Sequence, residues 1–302
     1  MKKLGIVVTD ENDWTANALI QEAGKRGFET CCPDLGKLRT SIGKRIEHIT
    51  DGVNLSELDA IIIRDMGQGK NDGHIFRFDV LQELEKNGTL MINPPSAIQN
   101  AANKFHTSCL LSDAGIPTPG TFATQEIEPA MDMIEKLGDV VVKPIFGYKG
   151  IGIKRIQNMA VINPDGSPDQ TETYDFVSSY IEEKGILYIQ EFVENPGQDI
   201  RAFVVNNVVI GAIYRKAPEG SWLNNLSQGG TSQECKLTAE QERICLQAAR
   251  AVGAVYAGVD LIEGENGCYI LEVNATPSGA GIYKSLNVNV AEHIIDTIEN
   301  ML

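Results

Sequence analysis

In the first third of this 302-residue chain, short apolar runs alternate with segments of helical periodicity, whereas in the last third apolar runs follow one another directly. The two patterns demand different sheets, because parallel strands need a helical crossover and strands joined by tight turns run antiparallel. LGIVV (4–8) reads as a buried strand and Trp14 to Arg26 as a helix closed by Gly27. FETCC, LDAIIIR, a helix-like stretch through Phe78 to Leu84, and GTLMIN (88–93) continue the alternation. This predicts a small α/β unit with a parallel sheet, ending at Asn93-Pro94-Pro95, which neither helix nor strand should tolerate.

Beyond it the spacing predicts a helix over Ala97 to Ala114, a turn at GIPTPG (115–120), a strand from Thr121, a helix over Glu126 to Leu137, and a strand over 139–143. The polar tract NPDGSPDQTET (163–173) reads as an exposed loop tip, followed by a helix from Tyr174 to Lys184. Then come the consecutive strands ILYIQEFV (186–193), DIRAFVV (199–205) and VVIGAIYR (208–215), a helix over Ala239 to Val252, and the strands AGVDLIE (257–263) and CYILEVN (268–274). A terminal helix carries Val290, Ile294, Ile298 and Met301 on one stripe. The fold class expected is α/β, turning to α+β in the C-terminal part.

The net charge of −15 argues against a nucleic-acid or anionic-membrane partner, since both need a basic surface. It also makes lysines beside glycines more informative. Six cysteines without a C-x-x-C and four scattered histidines offer no zinc spacing, and reduced thiols in a cytoplasmic protein are expected. The N-terminal apolar stretch is too short for a signal peptide, and no run approaches a membrane span.

VVVKPIFGYKGIGI (140–153) places three glycines and two lysines at the end of an apolar strand. Gly147 and Gly152 have Walker spacing, but Ile153 and Lys154 follow where Lys and Ser/Thr belong; Gly150 and Gly152 begin a dinucleotide fingerprint that Arg155 spoils. Extended chain follows instead of a helix. The segment is therefore expected to be a flexible anion-binding turn between strands, with Lys143 fixed at one strand end and Lys149 on the tip.

In AGVDLIEGENGCYILEVN, register decides whether the acids meet. A two-residue Asn266-Gly267 turn separates them; a three-residue loop over Glu265 to Gly267 sets Asp260 opposite Glu272 and gathers Val259, Leu261, Tyr269, Leu271 and Val273 on one apolar face. Alternation favours the second. Asp260, Glu272 and Asn274 then share a face, an oxygen-only set that suits Mg²⁺; the alternative is a solvated strand face.

Taken together, NKFHTSCLLSDAGIPTP (103–119), the glycine segment, YIQEFVENPGQDIRAFVV (188–205), AIYRKAPEGSWLNNLSQGG (212–230) and GVDLIEGENGCYILEVNATPSGAG (258–281) resemble the RimK-type glutamate ligases of the ATP-grasp superfamily. DGHIFRFDVLQELE followed by INPPSAIQNAANK is similar to the ligases that add glutamate to tetrahydromethanopterin or to a deazaflavin coenzyme. The resemblance implies an ATP-grasp fold: a pre-ATP-grasp domain over 1–94, a central subdomain over 95–185 with the glycine-rich lid, and a C-terminal subdomain over 186–302. It implies ATP and Mg²⁺, or Mn²⁺, as cofactors. Lys104, Lys143 and the loop Gly147, Lys149, Gly150 and Gly152 would serve the phosphates. Glu191, Phe192 and Val193 would line the adenine slot, mostly through backbone groups with the side chains of Phe192 and Val193 read as plain core; Gln190 would also bind the nucleotide, and Asp199 would lie near the ribose. Arg201 and Arg215 would hold the γ-phosphate and the acyl phosphate, Asn225 would contact the nucleotide or the intermediate, and Asp260, Glu272 and Asn274 would hold the metal.

The implied reaction joins a small-molecule or peptide carboxylate to an amino acid, L-glutamate, through an acyl phosphate. It depends on positioning and charge neutralisation, in keeping with a site rich in Lys and Arg and poor in His. A homo-oligomer, dimer or tetramer, is implied too. Leu223 and Gln228 stand where the family pattern has arginines, which leaves acceptor recognition open. The alternatives are a C-terminal glutamate ligase of polypeptides, another carboxylate–amine ligase, and a nucleotide-binding regulatory module without turnover.

Overall fold

The structure is a computed structural model that describes residues 1–147, 150–224 and 230–302. The chain opens with β1 (Lys3–Val7), α1 (Trp14–Lys25) and β2 (Glu29–Cys31), and passes through an antiparallel meander of β3 (Arg39–Ile42), β4 (Ile46–Thr50) and β5 (Val53–Asn54). It returns with β6 (Ala60–Ile63), α2 (Asn71–Lys86) and β7 (Leu90–Ile92). The order β2-β1-β6-β7 is parallel throughout, with Leu4 opposite Ala60 and Val7 opposite Ile63. Every residue of β6 is buried because both faces of the sheet are covered, and this is why its sequence is uniformly apolar.

The expected break at Asn93-Pro94-Pro95 instead opens α3 (Pro95–Ala102), with Pro at its start, where a missing N–H removes no helical bond. The single helix expected over 97–114 is two. Asn103 leaves helical geometry (φ −95°, ψ 99°) and its side chain caps α4 (Lys104–Asp113) by accepting from His106 N. Lys104 thereby becomes the first residue of a helix.

A six-stranded antiparallel sheet follows, built from β8 (Thr121–Thr124), α5 (Ile127–Leu137), β9 (Asp139–Val142), β10 (Lys154–Gln157), β11 (Ala160–Ile162), β12 (Pro168–Glu172), α6 (Thr173–Lys184) and β13 (Leu187–Glu191), in the order β12-β11-β10-β9-β13-β8. Part of the polar tract read as a loop is thus the edge strand β12, where one face is solvent and polarity carries no penalty. β13 pairs with β8 and β9, so the central sheet continues past the boundary expected at residue 185.

The last sheet, β16-β15-β14-β17-β18, comprises β14 (Gln198–Val205), β15 (Val208–Lys216), β16 (Thr231–Glu234), β17 (Tyr256–Gly264) and β18 (Gly267–Asn274). One face packs on α7 (Ala239–Val252) through Ile200, Ala202, Val259, Leu261 and Val273. After α8 (Ala280–Leu286), α9 (Val290–Met301) buries Val290, Ile294 and Ile298 with Leu19 and Ala23 of α1 and Leu4 and Ile6 of β1, joining the two ends of the chain in one core. Met301, expected on that stripe, is half-exposed. Among the described residues no helix is long and apolar enough to cross a membrane.

Candidate active site

Because directly opposed residues of an antiparallel pair emerge on the same face, the C-terminal sheet assembles a row of charges from its register alone. Asp199 stands opposite Arg215, Arg201 opposite Asp260, and Asp260 opposite Glu272. The hairpin reaches this register differently from the loop expected. Gly264 pairs with Gly267 across a two-residue Glu265-Asn266 turn, and a bulge between Asp260 and Leu261 shifts the partner by one. The bulge also inverts the alternation, so that Ile270, rather than Tyr269 or Leu271, enters the core beside Val259 and Leu261.

The arginines are not exposed strand residues. Arg215 donates from Nε and Nη2 to the two oxygens of Asp199, both at 2.7 Å, and its Nη2 lies 2.9 Å from Asp260 Oδ2. Arg201 grips the same Asp260 carboxylate through Nε and Nη2, the latter at 2.7 Å. Asp199, Arg215 and Asp260 are buried. Burial pushes the Asp260 carboxyl up, but Arg201 and Arg215 outweigh it and hold the group below its ordinary range. Asp199 is pushed up by burial, which Arg215 only partly offsets. Asp199, expected near a ribose, has both oxygens engaged as the partner of Arg215.

Lys143 leaves the end of β9 and donates to Gln190 Oε1 at 2.5 Å; Gln190, wholly buried, donates in turn to Thr121 Oγ1. Burial lowers the Lys143 ammonium from its ordinary 10.5 to about 8; Glu272, Asp260 and Asp199 pull it up, and Lys104 pushes it further down. Lys104 Nζ, buried at the start of α4, donates to the Gly147 carbonyl at 3.1 Å and to Glu272 Oε1 at 3.3 Å. One ammonium therefore ties the glycine turn to the carboxylate row, across 168 residues of sequence. In that turn, Gly150 and Gly152 have φ of 75° and 76°, and a Cβ on Gly147 would meet Pro144 at 2.7 Å. Lys149, Asn225 and Gln228 lie outside the described residues.

Four cations (Lys104, Lys143, Arg201, Arg215) thus face three carboxylates (Asp199, Asp260, Glu272), an excess suited to a polyanion. The donor set for a divalent cation is oxygen only. Glu272 engages one oxygen with Lys104, and Asn274 Oδ1 accepts from Thr276 N at 2.8 Å, so both retain acceptor capacity; Asp260 would share its lone pairs with the arginines. These residues fit Mg²⁺, which keeps several waters and takes few protein ligands.

Glu191 is exposed, and Phe192 and Val193 are half-buried. Plain core does not describe the two side chains: among the described residues, neither joins an apolar cluster. The Phe192 ring instead carries the Arg155 guanidinium 3.6 Å above its centroid and meets the Trp222 ring edge-on at 6.2 Å. The sequence reading missed both neighbours. A tryptophan inside a polar, turn-rich tract was the available signal, since no apolar periodicity accounts for it there.

A family model described as RimK PreATP-grasp domain matches residues 2–98, and one described as RimK-like ATP-grasp domain matches residues 101–298. The chain is 46% identical to the tetrahydromethanopterin:alpha-L-glutamate ligase of Methanosarcina acetivorans, covering 100% of both. It is 38% identical to the protein of that name from Methanocaldococcus jannaschii, covering 98% of each. The ATP-grasp ligase PsnB, solved with minimal precursor, Mg and ADP, shares the fold, with a TM-score of 0.72 over 99% of this chain and 97% of that one at 22% identity.

Proposed function

The chain belongs to the RimK-like ATP-grasp family of carbon–nitrogen ligases, and from that premise we propose that it uses ATP to add L-glutamate to a carboxylate of a tetrahydromethanopterin-type coenzyme. The first 94 residues act as the pre-ATP-grasp unit, and the nucleotide lies between the six-stranded and the five-stranded sheet. The observation that carries this reading is the bridge from the Gly147 carbonyl through Lys104 to Glu272, which brings the glycine turn and the end of the carboxylate row to one ammonium.

Lys104 and Lys143 neutralise the phosphates, and the loop from Gly147 to Gly152, with Lys149, closes over them and excludes water. Arg201 and Arg215, pre-oriented by Asp260 and Asp199, present guanidiniums to the group transferred from ATP to the acceptor carboxylate, with Asn225 beside them. Asp260, Glu272 and Asn274 hold Mg²⁺, which when bound offsets phosphate charge. The glutamate amine then displaces phosphate from the activated carboxyl, leaving the amide.

The test is an ADP-release screen pairing tetrahydromethanopterin-type acceptors, peptides with free C-termini and simple carboxylates with glutamate and other amino acids. Release should need ATP, a pterin acceptor and glutamate together, and should vanish in Lys143→Ala and Glu272→Ala while both variants stay folded. Undiminished release in both variants, or release that no acceptor stimulates, refutes the assignment.

A further inference from the structure

β13 ends at Glu191 and β14 begins at Gln198, so residues 192–197 are the linker that carries the chain from the central sheet to the C-terminal one. The adenine slot that the family resemblance implies at Glu191, Phe192 and Val193 lies at the start of this linker, and the inference here rests on that reading and on the proposed function. The linker's first residue is held from both sides. From the central sheet, Arg155 of β10 lies over the Phe192 ring and is itself fixed by Asp139, to which it donates from Nε at 2.8 Å and from Nη2 at 2.5 Å. The Phe192 N–H donates to the carbonyl of the same Asp139 at 3.0 Å.

From the other side comes the segment 217–224, which leaves β15 of the C-terminal sheet and crosses to the β11–β12 turn. Trp222 Nε1 donates to the Asn163 carbonyl at 2.7 Å, its backbone N–H to the Pro164 carbonyl, and Ser221 Oγ to the same Pro164 oxygen at 2.7 Å. A Cβ at Gly166 (φ +83°) would collide with the Gly220 carbonyl oxygen, so the two backbones touch. The Trp222 ring edge then rests against Phe192.

We infer that Arg155 and Trp222 are positioning residues that register the linker backbone for reading the purine base. Neither need touch the nucleotide. With the Phe192 side chain held by an arginine on its face and an indole at its edge, and its N–H taken by the Asp139 carbonyl, the Glu191 carbonyl and the Val193 N–H on either side of it are held where an acceptor and a donor can match one base edge. Adenine and guanine present opposite donor–acceptor patterns at that edge, so discrimination depends on the register, whereas phosphate affinity depends on Lys104 and Lys143.

The experiment measures binding of MgADP, MgGDP and inorganic tripolyphosphate to the full chain, wild type against Trp222→Leu, Trp222→Phe and Arg155→Leu. Wild type should prefer ADP. Trp222→Leu, losing one hydrogen bond and an aromatic edge contact, should weaken ADP about tenfold, a loss of about 1.4 kcal/mol. It should narrow the ADP:GDP ratio by a similar factor and leave tripolyphosphate binding unchanged. Trp222→Phe, which keeps an aromatic ring, should fall between, and the double variant with Arg155→Leu should be less than additive because both act through Phe192. A melting temperature within a few degrees of wild type excludes global unfolding as the cause. An unchanged ADP:GDP ratio in Trp222→Leu and Arg155→Leu, or equal losses for ADP and tripolyphosphate, overturns the inference while leaving the ligase reading standing. Failure of the wild type to bind ADP defeats both.

Discussion

Replacing Lys143 with Met should abolish a proton uptake that accompanies nucleotide binding. Burial holds this ammonium at about 8, so at pH 8 about half of the free molecules carry it neutral. Phosphate oxygens placed against it favour the charged form and return its pKa toward 10.5 or above. MgADP binding should therefore take up about 0.5 proton per site at pH 8, about 0.9 at pH 9 and about 0.1 at pH 7. Linkage requires the affinity to follow, falling about tenfold between pH 7 and pH 9 and little below that. The same shift acts on stability with a definite sign. The folded pKa lies below the unfolded one, so the penalty for holding Lys143 charged is full below pH 8 and is relieved as pH rises from about 8 toward 10.5. Titration calorimetry at pH 8 in Hepes and in Tris, whose ionisation enthalpies differ, reads the proton count as the slope of apparent enthalpy against buffer enthalpy. The Met variant should give a slope near zero and a flat affinity profile. No slope in the wild type, or an equal slope in the variant, refutes the placement of Lys143 against phosphate.

Two further outcomes test the supports of the site. Asp199→Leu strips Arg215 of its bidentate partner in a buried setting and should destabilise the fold by about 3 kcal/mol, whereas Asp199→Leu with Arg215→Met should recover most of that in denaturant unfolding yet remain without ADP release; a double variant no more stable than the single one contradicts it. Arg64, buried, donates to the Pro277 carbonyl at 2.9 Å and pairs with Asp13 at 3.1 Å, fastening the N-terminal unit to the segment just after Asn274. Arg64→Met should cost about 2–3 kcal/mol by removing the cation beside Asp13, which keeps its cap bond to Ala16 N, and by leaving the Pro277 carbonyl without its donor; a melting temperature lower by roughly 4 °C is expected, and a shift under about 1 °C would contradict it.

The parallel strands of the N-terminal unit could be read directly, because a sheet covered on both faces leaves strands such as AIII with no polar residue to mislead, whereas the largely exposed meander of β3, β4 and β5, rich in polar residues, was missed. The glycine turn was legible for a related reason: Lys143 and three closely spaced glycines stand out in a chain of net charge −15. The break at Asn103 was legible in principle, since asparagine is a preferred N-cap, but the apolar spacing on either side runs through it. The membership of β13 was not legible. ILYIQEFV has the same pattern whether its neighbour is β9 or β14, and strand order follows from packing that no local period encodes.

The hairpin shows where the division lies. The residues themselves determined that Asp260 and Glu272 lie on two adjoining strands, because both sit in apolar segments joined by a glycine turn; that they share a face was settled by the bulge beside Asp260, which strict alternation does not encode. What only the tertiary structure decided is which charge each carboxylate meets. Asp260 faces Arg201 across 59 positions and Glu272 meets Lys104 across 168, and Asp199, which by itself could serve a sugar hydroxyl, is committed to Arg215 by the register of a neighbouring strand. Local periodicity specifies the strand a side chain lies on; the partner it finds there depends on strand order and helix placement, which are set by burying the apolar faces of the whole chain at once.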